Sequence, residues 1–193
     1  MCHRLLGEVK FHAATLRYDE DLAAQAKAAG CPECGGRLDS ARFPRKPRGA
    51  TTSLPEGFEW RFSFCCANDG CRKRLTPPSI RFLGRRVYLG LVVVLATAMQ
   101  QGVTPVRAQK LKESLGVSLL TLARWREWWR TIFAQSTFWK EKRAYLVPPP
   151  NADGFPLTLL ERFGAEEEVS LLALLRFLTP LSTPDGYLPD QRF

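Results

Sequence analysis

The sequence predicts a mainly α-helical α+β fold carrying one small β-hairpin, and three observations lead there. Apolar residues recur at helical spacing in the N-terminal segment and again from about residue 85 onward. Between these stretches, Phe58, Trp60, Phe62 and Phe64 alternate with Glu59, Arg61 and Ser63, the period of a strand with one buried face. Five of the six cysteines flank that strand, at 31–34 and 65–71. With 193 residues and 45% hydrophobic content, the chain suits one compact domain or two small ones and is too apolar to be disordered.

In chain order, residues 13–29 read as a helix. Asp19, Glu20 and Asp21 lie near its start, Leu16, Leu22, Ala23 and Ala26 form an apolar stripe, and Gly30 stops it. Residues 37–66 read as a long β-hairpin, and Pro44–Gly57, rich in Pro and Gly, as the loop between its arms. Pro77-Pro78 breaks the chain. A helix then runs from about Arg85 to Gln101, apolar on nearly all sides between Leu89 and Met99, as a helix central to a core must be. Pro148–Pro150 marks a boundary. Leu157–Phe163 and Ala165–Leu178 form a short helical pair joined at Gly164, with Glu166, Glu167 and Glu168 favouring a helix start. The last residues, from Leu181, read as irregular. The segments expected are thus an N-terminal helical segment (1–30), a hairpin unit (31–80), a helical core (81–147) and an acidic helical tail (148–193).

The cysteines carry the first chemical signal. Cys31-Pro-Glu-Cys34-Gly-Gly has the form of a zinc knuckle, because two thiolates at this spacing reach one metal while glycines let the backbone turn behind them. Tetrahedral zinc needs two more ligands. Cys71 is one, and the other is Cys66 or, alternatively, Cys65. Cys66 continues the face of Phe58, Trp60, Phe62 and Phe64, whereas Cys65 points the other way, so Cys66 is preferred. Asn68-Asp69-Gly70 then absorbs the extra length of the second knuckle as a turn. The expected cofactor is a structural Zn²⁺. Reduced buried cysteines and a redox dithiol at Cys31/Cys34 are the competing readings.

The second signal lies at 104–135. Thr104 caps a helix with Pro105 at its first position, Gly116 makes a turn, and Ser118 caps a further helix that continues to about Ala134. Leu119, Leu122, Trp125, Trp129 and Phe133 form its buried face. Leu120, Thr121, Arg124 and Trp128 form the opposite one, with Trp128 exposed. Such a layout lets the second helix of a helix-turn-helix enter the major groove N-terminus first. Ser118, Leu120, Thr121 and Arg124 then face the DNA. Arg124 can fork onto guanine, Thr121 can meet a thymine methyl or a phosphate, and Leu120 can make an apolar base contact. Arg107, Lys110, Arg126 and Arg130 are phosphate contacts.

Charge is unevenly spread. The net charge of +9 resolves into −1 over 1–36, +8 over 37–86, none over 87–102, +6 over 103–143 and −4 over 144–193. A positive field concentrated in this way attracts polyanions and releases their counterions. Arg42, Arg45, Lys46, Arg48, Arg72, Lys73 and Arg74 are the phosphate-neutralising residues expected in the hairpin unit. The longest apolar run, Tyr88–Met99, is too short to span a bilayer, which takes about 20 residues. The N-terminus has no apolar signal core. A cytoplasmic location without membrane association is expected.

Two stretches resemble a known type of protein. Leu115-Gly-Val-Ser-Leu-Leu-Thr-Leu-Ala-Arg-Trp125 is similar to the helix-turn-helix of bacterial transposases and invertases. Cys31-Pro-Glu-Cys34-Gly-Gly, followed by Arg61-Phe-Ser-Phe-Cys-Cys66 and Cys71-Arg-Lys-Arg-Leu-Thr-Pro-Pro-Ser79, resembles the zinc ribbon that precedes such a motif in insertion-sequence proteins. Ribbon then helix-turn-helix is the order in small DNA-binding proteins encoded beside transposases. The resemblance implies sequence-specific binding of double-stranded DNA, as a transposition accessory factor or a transcriptional regulator. It also implies association with the bacterial nucleoid and a transposase as partner.

An enzyme is not expected. A carboxylate-class transposase needs an acidic triad on a mixed α/β fold, and no strand is predicted after residue 80. The two histidines both lie near the N-terminus, and no phosphate-binding loop or nucleophile elbow occurs. Two other readings compete. One is an adaptor that docks on a transposase or another nucleic-acid enzyme through its ribbon and acidic tail. The other is RNA binding through the aromatic and basic hairpin.

Overall fold

A computed structural model of the chain describes residues 3–50, 52–83, 88–98 and 104–183. The protein is mainly helical with a small antiparallel β component.

A short helix α1 (His3–Leu6) leads into α2 (Val9–Ala29). The expected start at residue 13 is four residues late, so Asp19, Glu20 and Asp21 sit in mid-helix and not at its positive end. Phe11, Thr15, Asp19 and Ala23, at four-residue steps, make the buried face together with His12. Asp19 is therefore a core residue. Its carboxylate takes Arg81 Nε at 2.8 Å and the Ile80 amide at 2.8 Å, and it also accepts from the Ser79 hydroxyl. Both charged side chains of this ion pair are fully buried. Arg81 further donates to the Phe58 carbonyl and, at 3.0 Å, to that of Trp60, and its guanidinium lies 5.0–5.5 Å from the rings of Phe58, Phe62 and Phe82. A buried charge survives only with such complete pairing. This one fastens α2, the hairpin and the segment after it at a single point.

The hairpin forms as expected, in one register. β1 (Leu38–Ser40) pairs with β4 (Phe64–Cys66), and β2 (Phe43–Pro44) with β3 (Trp60–Arg61). The bonds Ala41 N to Ser63 O and Arg45 N to Glu59 O keep that register between and beyond the strands. A third strand not anticipated from the sequence, β5 (Arg74–Leu75), adds to β4. It explains why the alternation misled on one point. Arg61 and Ser63, read as solvent-facing, are each 3% exposed. Arg61 donates to the Pro77 carbonyl, and Ser63 Oγ to the Leu75 carbonyl at 3.3 Å. The chain after β4 folds back over the face that looked solvated.

Every residue of α3 (Gly90–Ala98) is buried. The expected helix was longer: Tyr88 and Leu89 instead bridge to Arg48 and Phe82, and the flanks at 85–87 and 99–101 lie outside the described residues. Next come α4 (Pro105–Leu115) and α5 (Leu119–Glu127), and α5 continues as a π-helical stretch over Trp128–Phe133. Gly116 makes the turn between them with φ +65°, the left-handed conformation that suits glycine at a helix end. Its amide closes onto Lys112 O at 3.0 Å, and Tyr88 Oη donates to its carbonyl at 2.8 Å. Ser118 caps α5, accepting from the Thr121 amide at 3.1 Å.

Two residues of this region sit opposite to expectation. Trp128 is fully buried. It follows Trp125 by three residues and so falls on the same side, and the wider i→i+5 winding brings Trp129 and Phe133 inward with it. Leu119 is 58% exposed. Val117 and Leu122 occupy the N′ and N4 positions of a hydrophobic staple and are buried, which leaves Leu119 outside.

A further helix the sequence reading lacked, α6 (Thr137–Lys142), is capped by Ser136 and buries Trp139. The pair α7 (Leu157–Phe163) and α8 (Glu167–Phe177) packs together as expected, with Glu167 and Glu168 in the first turn of α8. One continuous core links Leu5 and Phe11 through α3 to Trp125, Phe133, Leu159 and Leu174. A separate cluster of Ala23, Cys31, Leu38, Phe64 and Cys66 lies at the open end of the hairpin.

Candidate metal centre and exposed basic faces

That second cluster holds the site. Cys31 and Cys34 stand on the turn after α2. The Cys31 amide donates to Gly36 O at 2.9 Å and the Gly35 amide to Cys31 O at 2.8 Å, so the loop curls around the thiols. Gly36 is required by close approach, because a Cβ there would lie 3.2 Å from Cys34 Sγ and 3.3 Å from Cys66 Sγ. The second knuckle follows β4. Asn68 O accepts from the amides of Cys71 and Arg72, and Asn68 Oδ1 accepts from Gly70 N at 3.1 Å, so Asn68-Asp69-Gly70 is the turn that was expected.

The four sulfur atoms of Cys31, Cys34, Cys66 and Cys71 lie within 4.8 Å of one another. Cys31 and Cys71 are 3.7 Å apart, and Cys34 and Cys66 3.5 Å. The set can hold one metal ion. Cys65 stays outside it, with its sulfur turned to the carbonyls of Arg72 at 3.6 Å and Cys66 at 3.7 Å. The choice between the adjacent cysteines made from strand alternation agrees with this placement, because the pleat of β4 continues as far as Cys66.

The electrostatics of the four thiols are those of a cation site. The amides of Glu33 and Cys34 stabilise the Cys31 thiolate and lower its pKa to about 7. At Cys66 the Asn68 amide pulls the same way, but burial and the neighbouring thiols of Cys34, Cys31 and Cys71 outweigh it and push the value up to about 12. Cys71 is raised likewise. The Lys73 amide works to lower it, and burial with the Cys34 and Cys31 sulfurs prevails. The Cys31 thiolate forms readily, and Cys66 and Cys71 ionise when a positive ion relieves the repulsion around them.

The basic residues around the centre divide into two kinds. Arg42, Lys46, Arg48 and Arg74 are exposed. Lys73 pairs with Glu33 at 3.2 Å, linking the two knuckles, and Arg72 with Asp69 at 3.8 Å. These are exposed pairs that screening weakens and a polyanion can displace. Arg45 was expected to contact phosphate. It is half-buried, with its guanidinium 5.7 Å from the Phe82 ring centre and 6.0 Å from that of Phe43.

On α5, Ser118, Leu120 and Arg124 face solvent, with Leu120 61% exposed. Thr121 is half-buried, its hydroxyl 2.9 Å from that of Ser118, within the cap. Arg130 and Lys110 are exposed. Arg126 is half-buried, and burial together with the like charge of Arg130 lowers its pKa. The side chain of Arg107 lies outside the described residues. Two supports were not legible in the sequence. One is Tyr88, which holds Gly116 and packs edge-on against Trp125 at 5.0 Å, and the other is the Glu33–Lys73 bridge. No helix among the described residues is long and apolar enough to cross a membrane.

No protein family, curated protein or solved structure matches this chain.

Proposed function

We propose that the protein binds double-stranded DNA in a sequence-dependent way, reading it with α5, while Cys31, Cys34, Cys66 and Cys71 hold a structural zinc ion that fixes the hairpin. The observation that carries this reading is the construction of α5. Its N-terminus is capped by Ser118 and anchored by Val117, Leu122 and Trp125, yet it presents Leu119, Leu120 and Arg124 to solvent. An anchored helix with an exposed apolar leading turn and an exposed Arg one turn further on suits the major groove, where Arg reads guanine and an apolar side chain meets the thymine methyl. The αL turn at Gly116, pinned by Tyr88, is the kind of tight joint a helix-turn-helix needs.

Zinc is the metal that best suits the donor set. A donor set of four thiolates favours a soft tetrahedral ion. A Zn–S bond of about 2.3 Å gives a tetrahedral S–S edge of about 3.8 Å, close to the observed 3.5 and 3.7 Å. When bound, the ion supplies structural cross-linking. It joins the end of α2 to the end of β4, and Arg42, Lys46, Arg48, Arg72, Lys73 and Arg74 then form a cationic surface on a fixed frame.

The reading is tested by site selection on the wild-type protein and on Arg124→Ala. The variant should lose about 1–3 kcal/mol at the selected site and relax preference at one base pair. An unchanged site preference would refute the assignment of Arg124. Biologically, the reading fits a transposition accessory factor or a transcriptional regulator, and a transposase is the protein partner it suggests.

A further inference from the structure

Between α2 and the hairpin runs a groove of about 190 Å³ that includes none of the four clustered cysteines and no residue of α5, and that shares only Arg42 with the cationic surface proposed above. It is lined by Ala23, Ala24, Lys27, Ser40, Arg42, Phe62, Ser63 and Phe64. Three features define what it can take. Its base is apolar, with Ala23 and Phe64 buried and the Phe62 ring half-buried. Phe62 carries the buried Arg81 guanidinium 5.5 Å from its ring centre. Two exposed cations, Lys27 and Arg42, belong to the lining, which contains no acidic side chain.

The volume is well below the ~300 Å³ at which pockets for drug-sized ligands begin, and so has room for one planar ring. Ser63 Oγ is already committed to the Leu75 carbonyl, which leaves few groups to read the ring's edge. We propose that this groove takes a single unstacked nucleotide of a single-stranded nucleic acid, its base against Phe62 and its phosphates on Arg42 and Lys27. Aromatic stacking beside a cationic track is how sequence-tolerant single-strand binding works. A base within a duplex has both faces covered by its neighbours and does not fit, so this site is distinct from the one proposed for α5.

The test is a titration of the ¹⁵N-labelled, metal-loaded full chain with pentathymidylate, and in parallel with thymidine 5′-monophosphate. Saturable amide shifts centred on residues 23–27, 40–42 and 62–64 are expected with the oligonucleotide, and much weaker binding with the mononucleotide. Arg42→Ala should weaken the oligonucleotide roughly tenfold or more, as loss of a charge-assisted contact does. Ala24→Met fills the groove from an exposed helix position, keeps every charge, and should abolish the same shifts. Arg124→Ala, at a residue outside the groove's lining, should leave them unchanged even where it removes duplex site preference, so the two sites can fail separately. The inference is overturned if no saturable shifts appear at these residues or if Ala24→Met binds like wild type. It is also overturned if the mononucleotide binds as tightly as the strand.

Discussion

Removing the Asp19 carboxylate should cost this protein a large part of its stability. In Asp19→Ala three donors lose their acceptor at once: Arg81 Nε, the Ile80 amide and the Ser79 hydroxyl. The Arg81 charge also stays buried, with 0% of its side chain exposed. Breaking a buried ion pair from one side costs about 3–5 kcal/mol, against a total stability of about 5–15 kcal/mol for a domain. Because Arg81 also holds the Phe58 and Trp60 carbonyls, the loosening should reach the hairpin arm that leads to Cys66. Urea denaturation of the metal-loaded protein reads the effect. With a slope of about 2 kcal/mol per molar, the midpoint should fall by roughly 2 M. The double variant Asp19→Leu/Arg81→Met removes both charges and should lose clearly less than the sum of the single losses, since no charge remains buried without its counter-charge. Some loss should persist, because the Phe58 and Trp60 carbonyls still lack their donor and the Ile80 amide and Ser79 hydroxyl their acceptor. A drop below about 1 kcal/mol for Asp19→Ala, or strict additivity in the double variant, would refute the pairing as the fastening point.

Other perturbations address the metal centre and α5. Cys66→Ser should lower bound zinc well below one equivalent, whereas Cys65→Ser should keep a full equivalent. Metal analysis after dialysis separates the two, and equal loss in both would contradict the placement of the sulfurs. Zinc affinity should rise with pH through neutrality. Cys66, held up to about 12, and Cys71, also raised, carry protons that the metal must displace. Competition titrations at several pH values measure this, and a pH-independent affinity would count against a four-thiolate site. Ser118→Ala removes the hydroxyl that accepts from the Thr121 amide and should cost about 1 kcal/mol by denaturation. A loss indistinguishable from zero would mean that the cap contributes nothing to α5.

Much of the site was legible because short-range rules govern it. The knuckle glycines, the Asn68 turn and the pleat of β4 act within a few residues, so strand alternation favoured Cys66 over Cys65. The Ser118 cap and the Gly116 turn are equally local. The misreadings have long-range causes. Asp19 and Arg81 are 62 residues apart, and nothing near Asp19 in the chain marks it as buried, so Asp19, Glu20 and Asp21 read as acids near a helix start. Arg61 and Ser63 looked solvent-facing because the segment that covers them arrives only after β4. Trp128 follows Trp125 by three residues and so shares its buried side, and Leu119 is left outside by the staple at Val117, which a simple helical period does not encode.

The most direct test of the account is duplex DNA binding by the zinc-loaded protein, titrated across salt concentrations. The account predicts tight binding whose logarithm falls with the logarithm of salt at a slope of about −5 or steeper, as neutralisation of roughly six or more phosphates requires. Absence of binding at low salt, or an affinity indifferent to salt, would contradict it.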